Sequence, residues 1–253
     1  MRIGVLTGLT AEARLLHGSA FALAQAPLIA RAGACAKRAF EEAERLVAAG
    51  AGAIVSFGIA AGLDPRLKPG DLILADRVVL PDGRSIDTDP DWLGSARAQA
   101  GRPSRGTYIG AVAGTDRLLA SAAEKRGLAA WSGALCGDME SAAAAAVAQR
   151  AGLPLLVVRA VSDSAAQSLP GVARVPLRPD GGISIGPVAQ ALCARPGEWL
   201  AVARLAFDTR AALETLRGVV RSGALGPPGW SGRRLDGLAH QTVEDVLGRP
   251  LPV

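Results

Sequence analysis

The sequence predicts a single three-layer α/β domain in which a largely parallel central sheet is flanked by helices on both faces. Two observations lead there. Short apolar runs of strand length alternate with helical segments from residue 2 to about residue 165. Those runs are apolar throughout instead of switching between apolar and polar, which is how strands read when both of their faces are covered. A third observation agrees: 49% of the 253 residues are hydrophobic, drawn far more from alanine, leucine and valine than from aromatics. A chain of that length and content can bury one large core or two small ones.

The elements follow in order. RIGVLT (2–7) reads as a buried strand and AEARLLHG (11–18) as a short helix after a tight turn. AKRAFEEAERLVAAG (36–50) has the spacing of an amphipathic helix, ended by Gly50. AIVSFG (53–58) is a second strand, GIAAGLDPRLKPGD (58–71) a loop punctuated by glycine and proline, and DLILADRVVL (71–80) a further strand. A polar, Asp-rich connection fills the chain to about residue 104. TYIGAVAG (107–114) is a strand and TDRLLASAAEKRG (115–127) a helix that Thr115 would cap. GDMESAAAAAVAQRAG (137–152) reads as a helix closed by Gly152, and LPLLVVRAVSDSA (153–165) as a buried strand with polar residues at its end. Residues 166–186 are rich in proline and glycine and read as a long ordered loop, with helices near 187–195 and 197–217 after it. These elements place one domain at residues 1–217. A C-terminal tail, mobile or packed on a partner chain, is expected at 218–253.

The composition narrows the function. The formal net charge is +5 and the sequence pI about 9.7, yet the arginines are scattered and not interleaved with aromatics. Nucleic-acid binding is therefore not expected, while attraction to an anionic membrane surface stays open. Cys35, Cys136 and Cys193 form no CxxC pair, which argues for a reducing compartment and for small buried side chains. His17 and His240 are too few for a histidine-rich metal site, so no metal is expected. The N-terminus MRIGVLTGLTAEARLL has a single Arg2 and then a strand and a turn, so no signal peptide is expected. No apolar run reaches the roughly 18–20 residues of a membrane span. The expected location is the cytoplasm, with peripheral membrane contact at most.

In sheets of this kind ligands bind beyond the carboxyl ends of the strands. Glu12 follows the first strand, Gly58 to Gly62 the second, Gly114 to Leu118 a later one, and Ser162 and Asp163 the last. Asp138 and Glu140 stand at the head of a helix on the same side. An acid there gains about 0.3–1 kcal/mol from the helix dipole or simply caps the first turn, so their position alone does not separate structure from function. The turn GLTAEA lacks the glycine-rich dinucleotide fingerprint, and no GxxxxGK[ST] occurs. GISIG (182–186) matches a nucleophile elbow at Ser184, but a turn precedes it and His240 is the single later histidine. What remains is a set of carboxylates. Such a set suits cleavage of a bond through a sugar cation: one carboxyl beside the positive charge, one protonating the leaving base, one orienting the attacking oxygen.

Three stretches, SFGIAAGLDPRLKPGD, DMESAA and VVRAVSD, resemble the signatures of the purine nucleoside phosphorylase and nucleosidase superfamily, and GLTAEA is similar to the turn that carries a catalytic glutamate in its nucleosidase branch. The resemblance covers roughly residues 1 to 217 in order. More narrowly, GLTAEARL, SFGIAAGLDP, GALCGDMESAA, SLPGVARVPLRPDGG and ARPGEWLAVARLAFDT resemble the hopanoid-associated phosphorylase group, whose members are linked to removal of adenine from adenosylhopane, a lipid nucleoside. The resemblance implies a nucleoside phosphorylase-like fold, an N-ribosyl-bond-cleaving enzyme, a homo-oligomer, and no cofactor, with inorganic phosphate as an alternative co-substrate to water.

It also implies roles. Asp163 would hydrogen-bond or protonate N7 of the purine, with Ser162 shaping its surroundings. Glu140 would bind the ribose hydroxyls, with Met139 packed against the sugar, and Glu12 would orient the attacking water. Gly114, Arg117 and Leu118 fall where the family lines its base pocket, and Asp138 is left as a cap or supporting group. Two departures stand out. The family's serine after the second strand, often a phosphate ligand, is Ile59 here, and the first glycine of a Gly-Gly pair is Ala61, leaving Gly62 alone. Ile59 removes a hydroxyl from the expected anion site, although backbone N–H groups at 58–62 and Arg31 before Gly33 could still serve phosphate.

Overall fold

The structure is a computed structural model and describes residues 2–16, 26–100, 105–175, 178, 181, 182, 184–228, 241 and 242. The chain runs β1 (Ile3–Thr7), α1 (Thr10–Leu16), β2 (Leu28–Arg31), α2 (Ala36–Ala48), β3 (Ala53–Gly62), β4 (Leu72–Val79), β5 (Ser85–Asp87) and α3 (Pro90–Gln99). Then come β6 (Thr107–Gly114), α4 (Ala122–Ser132), β7 (Cys136–Asp138), α5 (Ser141–Ala151) and β8 (Leu155–Asp163). A 3-10 turn (Gly171–Arg174), α6 (Ile185–Ala194), α7 (Trp199–Arg221) and β9 (Gln241–Thr242) complete the described chain.

The strands form one mixed sheet in the order β5-β4-β6-β7-β3-β1-β2-β9, with β8 paired to both β3 and β4. Most neighbours are parallel; β3–β7, β4–β5 and β4–β8 are antiparallel. Because β8 bridges β3 and β4, the strands β3, β8, β4, β6 and β7 close into a ring. Both faces are covered, as the unbroken apolar runs require. Along β3, Ile54 and Ala60 face the layer made by α2 and α5, while Val55 and Phe57 face the layer made by α1, α3 and α7. β8 alternates likewise, with Val157 and Val161 on one side and Leu156 and Val158 on the other. Each such buried side chain contributes roughly 1.5–3 kcal/mol, and Phe57→Ala would cost about 3–5 kcal/mol.

Several elements depart from the sequence reading. β3 continues through the stretch expected as a loop, because residues up to Ala61 pair with β8 and Ala61 and Gly62 pair with β7. The Asp-rich connection holds β5 and α3; Asp89 caps α3 by accepting the Trp92 N–H at 2.8 Å, with Pro90 in the first turn where its missing N–H costs nothing. Thr115 does not cap a helix. Its hydroxyl donates to the Arg117 carbonyl at 2.8 Å, and α4 starts later, at a reciprocal Ser121–Glu124 capping box.

β2 and β7 are short strands with no counterpart in the sequence reading. The boundary expected at 217 falls inside α7, which runs to Arg221 and buries Val219 and Val220; Ala224 and Leu225, just past its end, are buried in the same core. Of the cysteines only Cys136 is buried; Cys35 is half-buried and Cys193 exposed on α6, so the expectation of three buried thiols fails for two. His17, His240 and most of the tail lie outside the described residues. Among the described residues no helix is long and apolar enough to cross a membrane.

Candidate active site

The carboxyl ends of β1, β3, β6 and β8 meet on one rim, with β7 between β3 and β6, antiparallel to the first and parallel to the second. Glu12 reaches the rim because β1 stops at Thr7 and two turn residues lead straight into α1. Its side chain folds back over that turn. Oε2 accepts the N–H groups of Gly8 (2.9 Å) and Leu9 (2.8 Å), and Oε1 accepts that of Ile59 (2.8 Å) at the end of β3. Burial lifts the Glu12 pKa above its ordinary value, opposed mainly by the Ile59 N–H and by the Arg159 guanidinium. Gly58 is required here: a Cβ on it would stand 2.5 Å from Arg159 Nη1 and 2.6 Å from Glu12 Oε1.

Asp138 and Glu140 divide their work. Asp138 Oδ1 accepts the backbone N–H groups of Glu140 (2.7 Å) and Ser141 (2.6 Å), capping α5. Its Oδ2 accepts from the Ser141 hydroxyl (2.6 Å) and Arg159 Nε (2.9 Å). Glu140 sits at the N-cap position but its side chain does no capping, and its Oε1 is buried without a hydrogen-bond partner. Burial pushes the Glu140 pKa up to about 8; Arg159 opposes the rise, and Asp138 and Glu12 add to it.

Arg159, in the middle of β8, was given no role in the sequence reading. It is fully buried, donates through Nη2 to Ser56 Oγ (2.5 Å) and Ser141 Oγ (3.1 Å), and leaves Nη1 without a partner. The signal was there: an arginine inside the apolar run LLVVRAV must find counter-charges. Those charges are Asp138, Glu140 and Glu12. Lys125 was missed as well. It is fully buried on α4, and its ammonium pairs with Asp163 Oδ2 while donating to the carbonyls of Ser164 and Gln167, both at 2.8 Å. Nothing in the run AEKRG distinguishes it from a solvated helix face. The other Asp163 oxygen accepts from the Ser162 hydroxyl at 2.6 Å.

These groups surround a cavity of about 270 Å³. Glu12, Ala61, Arg117, Leu118, Met139, Glu140, Ser162 and Asp163 all line it. Gly62 and Gly114 do not. Gly114 instead lets α5 approach β6, since a Cβ on it would lie 2.3 Å from that of Ala142. Arg31 and Gly33 are likewise outside the lining, and the neighbouring Ala34 belongs to it with a left-handed φ of 49°. Ser184 opens α6 away from this cavity, and no strand among the described residues leads into it. Among the described residues no group of three or more His, Cys, Asp or Glu side chains is placed to hold a metal ion. The cavity thus offers four carboxylates: Glu12 anchored on backbone N–H groups, Glu140 with a free oxygen, Asp163 paired with an ammonium, and Asp138 held by the head of α5 and Arg159.

The profile of the phosphorylase superfamily matches residues 17–176. The comparison with curated proteins found no match. Among solved structures, the chain is similar to the 5'-methylthioadenosine/S-adenosylhomocysteine nucleosidase of Neisseria meningitidis in complex with methylthio-immucillin-A, at TM-score 0.64 and 17% identity over 88% of this chain and 98% of that one. The corresponding Helicobacter pylori nucleosidase, bound to butyl-thio-DADMe-Immucillin-A, gives TM-score 0.61 and 19% identity over 87% and 97%. Futalosine hydrolase of Helicobacter pylori gives TM-score 0.62 and 20% identity over the same shares.

Proposed function

The chain belongs to the phosphorylase superfamily, and from that premise we propose that it cleaves the N-glycosidic bond of an adenine nucleoside with water as the attacking group. The observation that carries the choice of water is the hydrogen bonding of Glu12. Backbone N–H groups beside the sugar are what a phosphate would need, and those of Gly8, Leu9 and Ile59 are already taken by the enzyme's own carboxylate. A second anion beside Glu12 would meet like charge in a low-dielectric site. Water meets a hydrogen-bond acceptor and a base.

In the reaction, water attacks C1' as the C1'–N9 bond breaks, and the electron pair of that bond passes to the purine. The water proton goes to Glu12, whose raised pKa suits a base. The purine takes a proton at N7 from the Asp163–Lys125 side, and Glu140 faces the cationic sugar. The products are adenine and a sugar with a free anomeric hydroxyl, and no metal or cofactor is needed. The finer substrate, adenosylhopane, rests on the resemblance of the sequence motifs. Peripheral contact of a cytoplasmic protein with a lipid surface belongs to the same reading, supported by the exposed Trp199, Leu200 and Phe207 on α7. So does a homo-oligomer that covers the exposed Ile109, Leu118 and Trp131.

The test is adenine release in phosphate-free buffer made with ¹⁸O-water. The expected outcome is an undiminished rate, label in the sugar product, and loss of most activity in Glu12→Gln. Strict dependence on phosphate, with a sugar 1-phosphate as product, would overturn the hydrolytic reading.

A further inference from the structure

Lys125 stands behind the candidate site, not in it. Its side chain is fully buried on α4 and does not line the cavity, whereas the Asp163 carboxylate it pairs with does. All three of its N–H groups are placed: one on Asp163 Oδ2, one on the Ser164 carbonyl and one on the Gln167 carbonyl, the last two at 2.8 Å. The other carboxylate oxygen, Oδ1, accepts the Ser162 hydroxyl at 2.6 Å. Asp163 is thus an acceptor on both oxygens and has no proton of its own to give. The ammonium is not needed to fasten the loop after β8. Leu169 N–H already donates to the Ala120 carbonyl at 2.8 Å, and Ala122 N–H to the Ser168 hydroxyl at 3.2 Å. Taking an ammonium out of water costs several kcal/mol, so this one is spent on the carboxylate.

We propose that Lys125 is the source of the proton that the leaving purine takes, with Asp163 as the carrier between them. The inference rests on the nucleosidase reading, in which the base lies against Asp163, and names the acid of that reaction. An N–H bond of the ammonium breaks and its proton passes to Asp163 Oδ2, leaving a neutral amine that keeps its bonds to the two carbonyls. As the C1'–N9 bond breaks, its electron pair enters the purine, and the N7 lone pair takes the proton from the Asp163 O–H. Asp163 ends as it began, a carboxylate, while the charges of the ammonium and of the leaving base cancel. Without the transfer a purine anion would stand against a carboxylate in a low-dielectric cavity, like charge against like. Arg117, the cation that lines the cavity itself, cannot give up a proton. Once adenine has left, water entering the cavity returns a proton to the amine through Asp163.

The experiment compares Lys125→Met and Lys125→Arg with wild type, from about pH 5.5 to about pH 8.5, on two substrates. One is adenosine, whose base needs a proton; the other is p-nitrophenyl β-D-ribofuranoside, whose nitrophenolate leaves without one. Glu12, Arg117, Asp138 and Glu140 around the cavity, Arg159 bonded to Asp138, and Glu124 at the head of α4 are present in all three proteins, so the ratio of variant to wild type isolates position 125. In the arginine variant a cation still keeps Asp163 ionised but holds its proton. Adenine release is expected to drop about 10²–10⁴-fold at every pH, with nitrophenolate release within about threefold of wild type. In the methionine variant burial favours the neutral carboxyl, so Asp163 carries its own proton at low pH and none at high pH. Relative to wild type, adenine release is expected to be nearly kept at the acid end and to fall at least about 10²-fold by the alkaline end, with no such trend for nitrophenolate. Adenine release by the arginine variant within about tenfold of wild type would overturn the proposal, because charge alone would then suffice. So would a ratio that does not change with pH in the methionine variant, or equal loss of both substrates in both variants, the mark of a structural lysine. If arginine does not fit and that variant alone loses both activities, the methionine profile decides. In each of these outcomes the wild type releases adenine and the nucleosidase reading stands; a wild type that releases none overturns both.

Discussion

Glu140→Gln is expected to stabilise the folded protein at alkaline pH while slowing its chemistry. The native carboxyl is buried with an unpartnered Oε1, and burial first of all pushes its pKa from 4.5 to about 8. A folded-state value above the unfolded one means that the native protein keeps a proton which the unfolded chain releases. The stability linked to that proton is complete below about pH 4.5, falls as pH rises, and is lost once pH passes about 8. At about 1.36 kcal/mol per pH unit the loss for an isolated carboxyl is on the order of 5 kcal/mol. Interaction with the neighbouring charges of Arg159, Asp138 and Glu12 spreads the titration and leaves a few kcal/mol. Glutamine has no proton to lose. With roughly 2–4 °C per kcal/mol for a chain of this size, the variant should melt about 5–10 °C above wild type at a pH near 8.5, and the gap should shrink toward pH 5. Scanning calorimetry at both ends of the window measures it. A melting difference that does not grow with pH would refute the reasoning. In parallel, turnover should fall more than adenine binding weakens, because the charge acts chiefly on the cationic transition state.

Asp163→Asn, nearly isosteric, should keep the fold and lower adenine release about 10²–10⁴-fold; a rate within about threefold of wild type excludes Asp163 as the acid. Lys125→Met leaves the Asp163 carboxylate buried beside no ammonium, which should cost about 3–5 kcal/mol of stability in chemical denaturation. Adding Asp163→Asn to that variant should restore much of the loss, and a double variant no more stable than the single one would show that the pair is not coupled.

The long apolar strands, the helix ended by Gly152 and the three rim carboxylates were legible because each has a local cause: two-sided burial, a left-handed cap, a position just past a strand. What was illegible depends on distant partners. β2 and β7 are too short to show a period, and Gly137 and Asp138 read as the head of the helix that follows until they pair with β3 and β6. α3 was hidden by the very aspartate that caps it. The helix expected over 115–127 with Thr115 as its cap in fact starts at Ala122, because Ser121 and Glu124 form the capping box. Closure of the ring by β8 cannot be seen in β8 at all, since a strand buried on both faces looks the same whichever neighbours it finds.

The acids of the DME motif now have separate causes. A helix that starts beside a ligand pocket needs its first N–H groups satisfied, and Asp138 satisfies those of Glu140 and Ser141. That frees the Glu140 carboxyl from capping and leaves it aimed into the cavity with one oxygen unmatched. Arg159 ties the halves together: it bonds Asp138, tempers the charge of Glu140 and Glu12, and holds Nη1 in reserve. Below about pH 8 the empty enzyme keeps that carboxyl protonated, and a positive sugar forming beside it favours the charged form. Orienting the carboxyl in advance, so that a proton and no side chain has to move when the cation appears, is how a fixed site lowers a barrier. The unpartnered oxygen of Glu140 is therefore a functional feature of the site, and the pH dependence of its glutamine variant measures what keeping it charged costs the fold.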